Sequence, residues 1–317
     1  MKLRKLEGPA LVLTILLALW VVVLAILLFA RPSFFSASTL TTILQFSTIL
    51  MLVSMGQAIV ILSGGACIDL SVTGNVSLTA VCAMLLAKAG MPFTLVPVVC
   101  IVIGLALGAL NGVIVTRLSL PPLIVTLATL FVYSGLALAV TGGAAQSGVP
   151  AWLTGWGRGL VGAFPMPFIT LALPVVIVIA ALLSLTSWGR WIYAMGFNDR
   201  SARLVGIPVE KTRLVLYMVS GTLAGLAALV SLAWLGSARP NIGQNLELDS
   251  LTAAMLGGIA ITGGRGGVLG VAAAVILIVT LKTGLLQMNV NTVWQIGIVG
   301  ALLIAVLLAE RLSERWS

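Results

Sequence analysis

Apolar residues occur in runs of about 20, cut by charges and by clusters of Pro, Gly and Asn. Ten such runs can be drawn, at approximately 9–30, 40–62, 68–87, 92–116, 120–141, 168–187, 213–235, 249–263, 267–286 and 292–309. A helix needs roughly 20 apolar residues to cross the hydrocarbon core of a bilayer. The pattern therefore predicts an all-α, polytopic integral membrane protein of about ten transmembrane spans, with residues 1–317 as one transmembrane domain. The runs at 68–87 and 249–263 are rich in Gly, Ser and Thr, the composition of a broken or re-entrant segment.

Charge sets the expected orientation. With the N-terminus inside, the cytoplasmic segments hold Lys2, Arg4, Lys5, Arg117, Arg190, Arg200, Arg203, Lys211, Arg213, Arg265, Arg311 and Arg315. The opposite side holds Arg31, Lys88, Arg158 and Arg239. Twelve against four is the bias of an N-in, C-in protein with an even number of spans. The run from Pro9 to Ala30 exceeds the roughly 7–15 apolar residues of a signal peptide, and no small-residue cleavage site follows it. It is expected to be an uncleaved first span.

Composition agrees and narrows the function. Hydrophobic residues make up 60% of the 317 and charged residues only 8%, against about 25% charged in a soluble domain. The net charge of +9 is spread between apolar runs rather than gathered on a polar face, so no nucleic acid partner is expected and the lipid bilayer is. Cys67, Cys82 and Cys100 lack metal-ligand spacing and read as small buried hydrophobes, so no metal site is expected. Histidine is absent, which removes the commonest general base and the Ser-His and HExxH arrangements. Catalytic residues are expected to be none.

Two segments outside the spans stand out. Residues 142–167 form a Gly-, Trp- and Pro-rich external loop in which Trp152 and Trp156 can anchor at the interface. Residues 188–213 form the longest charged cytoplasmic segment. Within it, Asn198 or Asp199 can cap a helix of about two turns carrying Arg200, Ala202 and Arg203. Gly206 can end it in the left-handed conformation before Ile207 and Pro208. So short a helix is marginal alone. It fits either a groove on a partner protein or the lipid headgroups.

Three further patterns bear on function. Ser63-Gly64-Gly65 breaks a helix, and Asp69 after it is either a cap for the next helix or a carboxylate facing a ligand path. The run Leu256-Gly257-Gly258 through Gly263-Gly264-Arg265-Gly266-Gly267 allows a tight turn between two short spans, and no GxxxxGK[ST] phosphate loop occurs in the chain. The steps Gly104-xxx-Gly108-xxx-Gly112 and Gly221-xxx-Gly225 are helix-packing motifs, more naturally within one chain than between two. Lys282, near the outer end of its span, is expected to snorkel, and Glu247 and Asp249 to sit at the outer mouth with Arg239. A faint echo links Ile68-Asp69-Leu70-Ser71 and Leu78-Thr79-Ala80 with Leu248-Asp249-Ser250-Leu251-Thr252-Ala253. It suggests inverted repeats at 40–141 and 213–309.

Taken together, the motifs resemble the permease subunits of ribose-type ABC importers, which serve ribose, galactose, xylose and autoinducer-2. The resemblance rests on Ile61-Leu62-Ser63-Gly64-Gly65 with Ile68-Asp69-Leu70-Ser71, on Leu120-Pro121-Pro122-Leu123-Ile124-Val125-Thr126-Leu127, on Gly196-Phe197-Asn198 through Ile207, and on the glycine run to Gly267, in that order. The chain departs from the family where Ala66-Cys67 follow Gly65 and Thr73 separates Val72 from Gly74. The resemblance implies two permease subunits, separate ABC ATPase subunits that bind the ATP, and an extracytoplasmic solute-binding protein. It also implies that the helix at 198–207 couples to the ATPase, and that this chain binds no cofactor itself. A path for a sugar-like solute would draw on hydroxyl and amide groups such as Ser54, Gln57, Ser71 and Asn75, with Asp249 at its mouth. An ion-coupled secondary transporter is the alternative, for which Asp69 and Asp249 are the candidate carboxylates.

Overall fold

The computed structural model describes residues 8–315. Lys2, Arg4 and Lys5 lie outside the described residues, as do the side chains of Arg311 and Arg315. In chain order the helices are α1 (Gly8–Ala30), α2 (Ala37–Leu62), α3 (Val72–Lys88), α4 (Val96–Arg117), α5 (Pro122–Thr141), α6 (Ala151–Arg158) and α7 (Leu173–Leu185). They continue with α8 (Ser187–Phe197), α9 (Asp199–Leu204), α10 (Val209–Leu235), α11 (Leu246–Leu256), α12 (Val268–Gln287) and α13 (Thr292–Arg315). Four two-residue strands, β1 (Gln146–Ser147), β2 (Leu160–Val161), β3 (Phe164–Pro165) and β4 (Ser237–Ala238), pair antiparallel as β1 with β4 and β2 with β3.

Six helical segments among the described residues are long and apolar enough to cross a membrane: 37–62, 93–117, 122–141, 168–185, 209–235 and 268–287. Each coincides within a few residues with a predicted run. The runs at 68–87 and 249–263 correspond only to the short helices α3 and α11, of 17 and 11 residues. α3 starts late because the chain from Ser63 to Leu70 is not helical, and α11 stops early because the glycine turn begins at Gly257.

The loops gather at two ends. At one, Gly264 N donates to Leu62 O at 3.0 Å, the Tyr193 hydroxyl to Gly266 O at 2.9 Å, and Thr126 Oγ1 to Ile68 O at 3.0 Å. This end also holds α9. At the other, Lys88 Nζ donates to Gln146 Oε1 at 2.8 Å, Arg31 Nε to Gln287 O at 3.1 Å, and Thr41 Oγ1 to Ala163 O at 2.9 Å. The two strand pairs lie there, so it is called the ribbon end. Successive crossings thus alternate in direction only when the short α3 and α11 are counted: α2 and α4 both run toward the α9 end, and α10 and α12 both run toward the ribbon end.

Burial separates centre from rim. In α2, 94% of the apolar window is buried, whereas in the 168–185 segment 22% is. Phe131 and Val132 on α5 and Ile177 and Val178 on α7 point outward, the dress of helices whose solvent is lipid. The tightest pairing is α4 on α10. A Cβ at Gly104 would lie 2.8 Å from Gly225 Cα, and one at Gly108 would lie 2.9 Å from Gly221 Cα. The GxxxG steps therefore pack two helices of one chain, backbone on backbone.

Candidate functional site: a buried carboxylate and the junction beneath α9

The break between α2 and α3 positions Asp69. Gly64, Gly65 and Ala66 take φ of +71°, +66° and +55°, three successive left-handed residues that stop α2 abruptly. The chain then returns into the bundle through Ile68 to Ser71. Asp69 is 1% exposed. Its Oδ1 accepts Ser71 N at 3.1 Å and the Ser71 hydroxyl at 2.6 Å, and its Oδ2 accepts the Ser220 hydroxyl from α10 at 2.8 Å. Asp69 thus holds the turn that leads into α3 through Ser71, the residue at the helix N-cap position, which makes no side-chain cap bond of its own.

The network extends across the bundle. Asn111 Nδ2 on α4 donates to Ser71 Oγ at 2.6 Å, and the Tyr133 hydroxyl on α5 donates to Leu107 O at 3.1 Å and lies 3.3 Å from Asn111 Oδ1. Asn75 Nδ2 donates to Gly104 O at 3.2 Å, and Asn75 Oδ1 accepts from Thr79 Oγ1 at 3.0 Å. Gly74 lets α5 come close: a Cβ there would lie 2.8 Å from Tyr133 Cβ. Among the described residues, no Lys or Arg pairs with Asp69; its charge is met by hydroxyls and one peptide N–H.

Ser54 and Gln57 lie on the buried α2, each 0% exposed, and neither the Ser54 hydroxyl nor the Gln57 amide finds a partner. Ser63 Oγ donates back to Val60 O at 2.7 Å. Asp249 and Glu247 are used differently from the sequence expectation. Asp249 pairs with Lys282 of α12, and Glu247 accepts from Thr73 of α3. Lys282 therefore does not snorkel, and Arg239 is not the acidic pair's partner. The reason is tertiary: α11 lies between α3 and α12, so each acid meets a donor across the contact before it can reach the outer mouth. A cavity of about 120 Å³ lined by Asn245, Asp249, Thr252 and Gly300 sits beside this pair.

At the α9 end, glycine surfaces meet. A Cβ at Gly64 would lie 2.7 Å from Gly196 Cα, and one at Gly264 would lie 2.6 Å from Phe197 N. The break after α2, the end of α8 and the turn between α11 and α12 therefore touch through bare backbone. Gly257, on the same turn, would bring a Cβ within 2.5 Å of Val271 Cα, while Gly258, Gly263 and Gly266 take φ of +89°, +84° and +113°.

From this junction the chain leads straight into α9. Asn198 caps it, accepting from Ser201 N at 2.9 Å, and Gly206 ends it at φ +84°. Ala202 is buried against Met195, Val209 and Ile207. Asp199 binds Arg203 at 3.4 Å and Arg213 at 2.9 Å, and Arg203 also pairs with Glu210. Arg200 is exposed, and Phe197, Leu204 and Val205 stand 76%, 87% and 76% exposed around it. Sequence reasoning missed Asn111, Tyr133, Arg213 and Ser220. An amide inside the apolar run 92–116 was the one available signal for Asn111.

A helical bundle in which two short helices follow breaks, with buried polar groups gathered at those breaks, is the architecture of a membrane transport protein. The family model described as branched-chain amino acid transport system / permease component matches residues 39–307, and the chain belongs to that family. It is a multi-pass permease of the bacterial cytoplasmic (inner) membrane. The ribose import permease protein RbsC of Bacillus subtilis is 36% identical over 313 residues, covering 96% of this chain and 93% of that protein. The galactose/methyl galactoside import permease protein MglC of Escherichia coli is 33% identical over 301 residues, 89% of each chain. The autoinducer 2 import system permease protein LsrD of Klebsiella pneumoniae is 33% identical over 276 residues, 83% of this chain and 80% of its own. No solved structure matches the chain.

Proposed function

We propose that the protein is the membrane-spanning subunit of an ATP-binding-cassette importer for a sugar or sugar-like polar solute. Relatives across nearly the whole chain are named as import permeases for ribose, galactosides and autoinducer 2, which supports that solute class. A binding protein delivers the solute, separate ATPase subunits bind and hydrolyse ATP, and a second permease, the same chain or a related one, completes the path. Ten crossings, N-in and C-in, follow if α3 and α11 are counted with the broken chain before them. The α9 end then faces the cytoplasm, with Arg117, Arg190, Arg200, Arg203, Lys211, Arg213 and Arg265 against Arg31, Lys88, Arg158 and Arg239 at the ribbon end. A long helix, a break and a short helix recur as α2–α3 and α10–α11, which supports inverted repeats at 40–141 and 213–309.

The observation that carries this reading is α9. It is a capped helix of six residues whose inner side is Ala202 and whose outer side offers Arg200 and Leu204, with Phe197 of α8 and the C-cap Val205 exposed at its two ends. In this reading the segment 188–213 couples to the ATPase: Asn198, Asp199, Arg203, Gly206 and Ile207 shape it, while Arg200, Leu204 and Val205 make the contact. Ser63, Gly64, Gly65, Asp69, Ser71 and Asn75 form a gate region beneath it, Ser54 and Gln57 line the path when the helices move, and Asp249 stands at its far end. No observation favours ion coupling.

The test is co-purification of an ABC ATPase with the tagged protein from native membranes, beside Arg203→Glu and Gly206→Pro. An ATPase that comes down with the wild type and is lost from both variants supports the reading. If no ATP-hydrolysing partner is recovered in mild detergent, the reading is wrong about mechanism.

A further inference from the structure

Arg213 is the least expected group at the α9 end. Its side chain is only 12% exposed, yet its Nε has no hydrogen-bond partner and lies out of solvent. Burying a cation with an unsatisfied N–H does not stabilise a fold; a well-packed apolar side chain does as well or better. A group that stability does not require needs another reason to be there.

Its neighbours supply one. Nη2 donates to Asp199 Oδ1 at 2.9 Å, which joins α10 to α9. The same nitrogen would lie 3.0 Å from a Cβ built on Gly65, so the guanidinium rests on the backbone of the α2–α3 break. Arg213, Tyr217 and Ser220 are spaced four and seven residues apart and therefore share one face of α10. Seven residues at 1.5 Å each span about 10 Å. At the far end of that face, the Ser220 hydroxyl holds Asp69 Oδ2 at 2.8 Å, with Gly56 of α2 pressed against it: a Cβ there would lie 3.0 Å from Ser220 Cα. Between them the Tyr217 hydroxyl is buried, with the Cys67 thiol of the break as its neighbour. One helix face thus touches the exposed helix α9 at one end and the buried carboxylate of the break at the other.

We propose that Arg213 is a positioning residue that ties the placement of α9 to the geometry of the Gly64–Ser71 break, with Ser220 as the second anchor of the same rigid face. A shift of α9 pulls on Asp199; Arg213 carries it to α10, and Ser220 carries it to Asp69. The unpartnered Nε is the group free to gain a partner in the shifted state. The inference rests on the proposed importer reading, because α9 must be the element that the ATPase moves.

The experiment uses the complete complex, permease with its ATPase and binding protein, reconstituted in liposomes, and reads two quantities: ATPase bound per permease, and solute imported per ATP hydrolysed. The probes are Arg213→Met, Arg213→Lys, Ser220→Ala, the Arg213→Met/Ser220→Ala pair, and Val215→Ala on another face of α10. Arg213→Met and Ser220→Ala are each expected to keep the ATPase bound while import per ATP falls about three- to thirtyfold, the range one link in a coupling network carries. Arg213→Lys recovers part of the loss, the pair is no worse than the poorer single variant, and Val215→Ala is unchanged. Import per ATP at the wild-type value in Arg213→Met, or in Ser220→Ala should Arg213→Met fail to fold, overturns the link. So does a strictly multiplicative double variant. If the wild type brings down no ATPase at all, it is the importer reading that has failed, which this design separates from failure of the link.

Discussion

The two short helices carry similar wording near their starts, with Ile68-Asp69-Leu70-Ser71 in the break before α3 and Leu248-Asp249-Ser250-Leu251 in the first turns of α11. Their carboxylates are nevertheless met in opposite ways. Asp69 is held by a peptide N–H and two hydroxyls, none of which carries charge. Asp249 is held by Lys282, a full countercharge, beside a cavity of about 120 Å³. Hydroxyls can rotate away and be replaced by water or by a solute's own hydroxyls. A lysine ammonium cannot leave so cheaply, because separation leaves two half-buried charges without their partners. In the proposed importer the break before α3 is therefore the one able to rearrange, and the start of α11 is clamped. The bare glycine junction beneath α9 touches only the break before α3, through Gly64.

The sharpest way to break this contrast is to fill the junction. Gly196→Val puts a side chain where Leu62 O and Gly264 N now sit. The cost expected is about 3 kcal/mol or more, because backbone cannot move aside as a flexible side chain can. Size-exclusion chromatography in detergent should show loss of the monodisperse peak; a wild-type profile would mean that the junction is loose.

Next in size is the clamp. Lys282→Met leaves the half-buried Asp249 without its cation and is expected to cost about 2 kcal/mol, whereas Asp249→Leu with Lys282→Met should recover most of it. Thermal unfolding in detergent reads both. Equal melting points for the single and double variants would show that the pair is not the clamp described.

Asp69→Asn is expected to be milder, about 1–2 kcal/mol, since the amide oxygen can still accept from Ser71 while the NH₂ replaces Oδ2 and must donate to a Ser220 hydroxyl turned to accept. Its effect on solute import should exceed its effect on melting. An import rate that tracks stability alone would return Asp69 to a purely structural role. The smallest effect is expected from Gly206→Ala, about 1 kcal/mol, for placing a Cβ at φ +84° in open surroundings. ATPase co-purification should fall more than the melting point does, because α9 is where the chain would be displaced.

Much of the architecture could be read from hydropathy because span length is a one-dimensional constraint: lipid admits a helix only where about 20 apolar residues run together. The runs at 40–62, 120–141 and 267–286 map onto α2, α5 and α12 for that reason. The limits of α9 were legible too, since a cap and a left-handed glycine are local devices, and Asn198 and Gly206 supply them. The partners of Asp69, Asp249, Glu247 and Lys282 were not legible. Asn111 is 40 residues from Ser71 and Ser220 is 151 from Asp69. Nothing local distinguishes a serine that holds a carboxylate from one that bonds its own helix, as Ser231 does to Ala227.

By itself, then, the sequence determined a polytopic helical membrane protein, its punctuation by glycine, and the short capped segment at 198–207, because lipid partitioning and backbone conformation act on contiguous residues. Only the tertiary structure decided which helices became the centre and which polar groups met there. It set Arg213, Gly65 and Asp199 against one another and made α10 the face joining α9 to Asp69, because side-chain partners are chosen by helix packing, which brings together residues that no stretch of sequence contains.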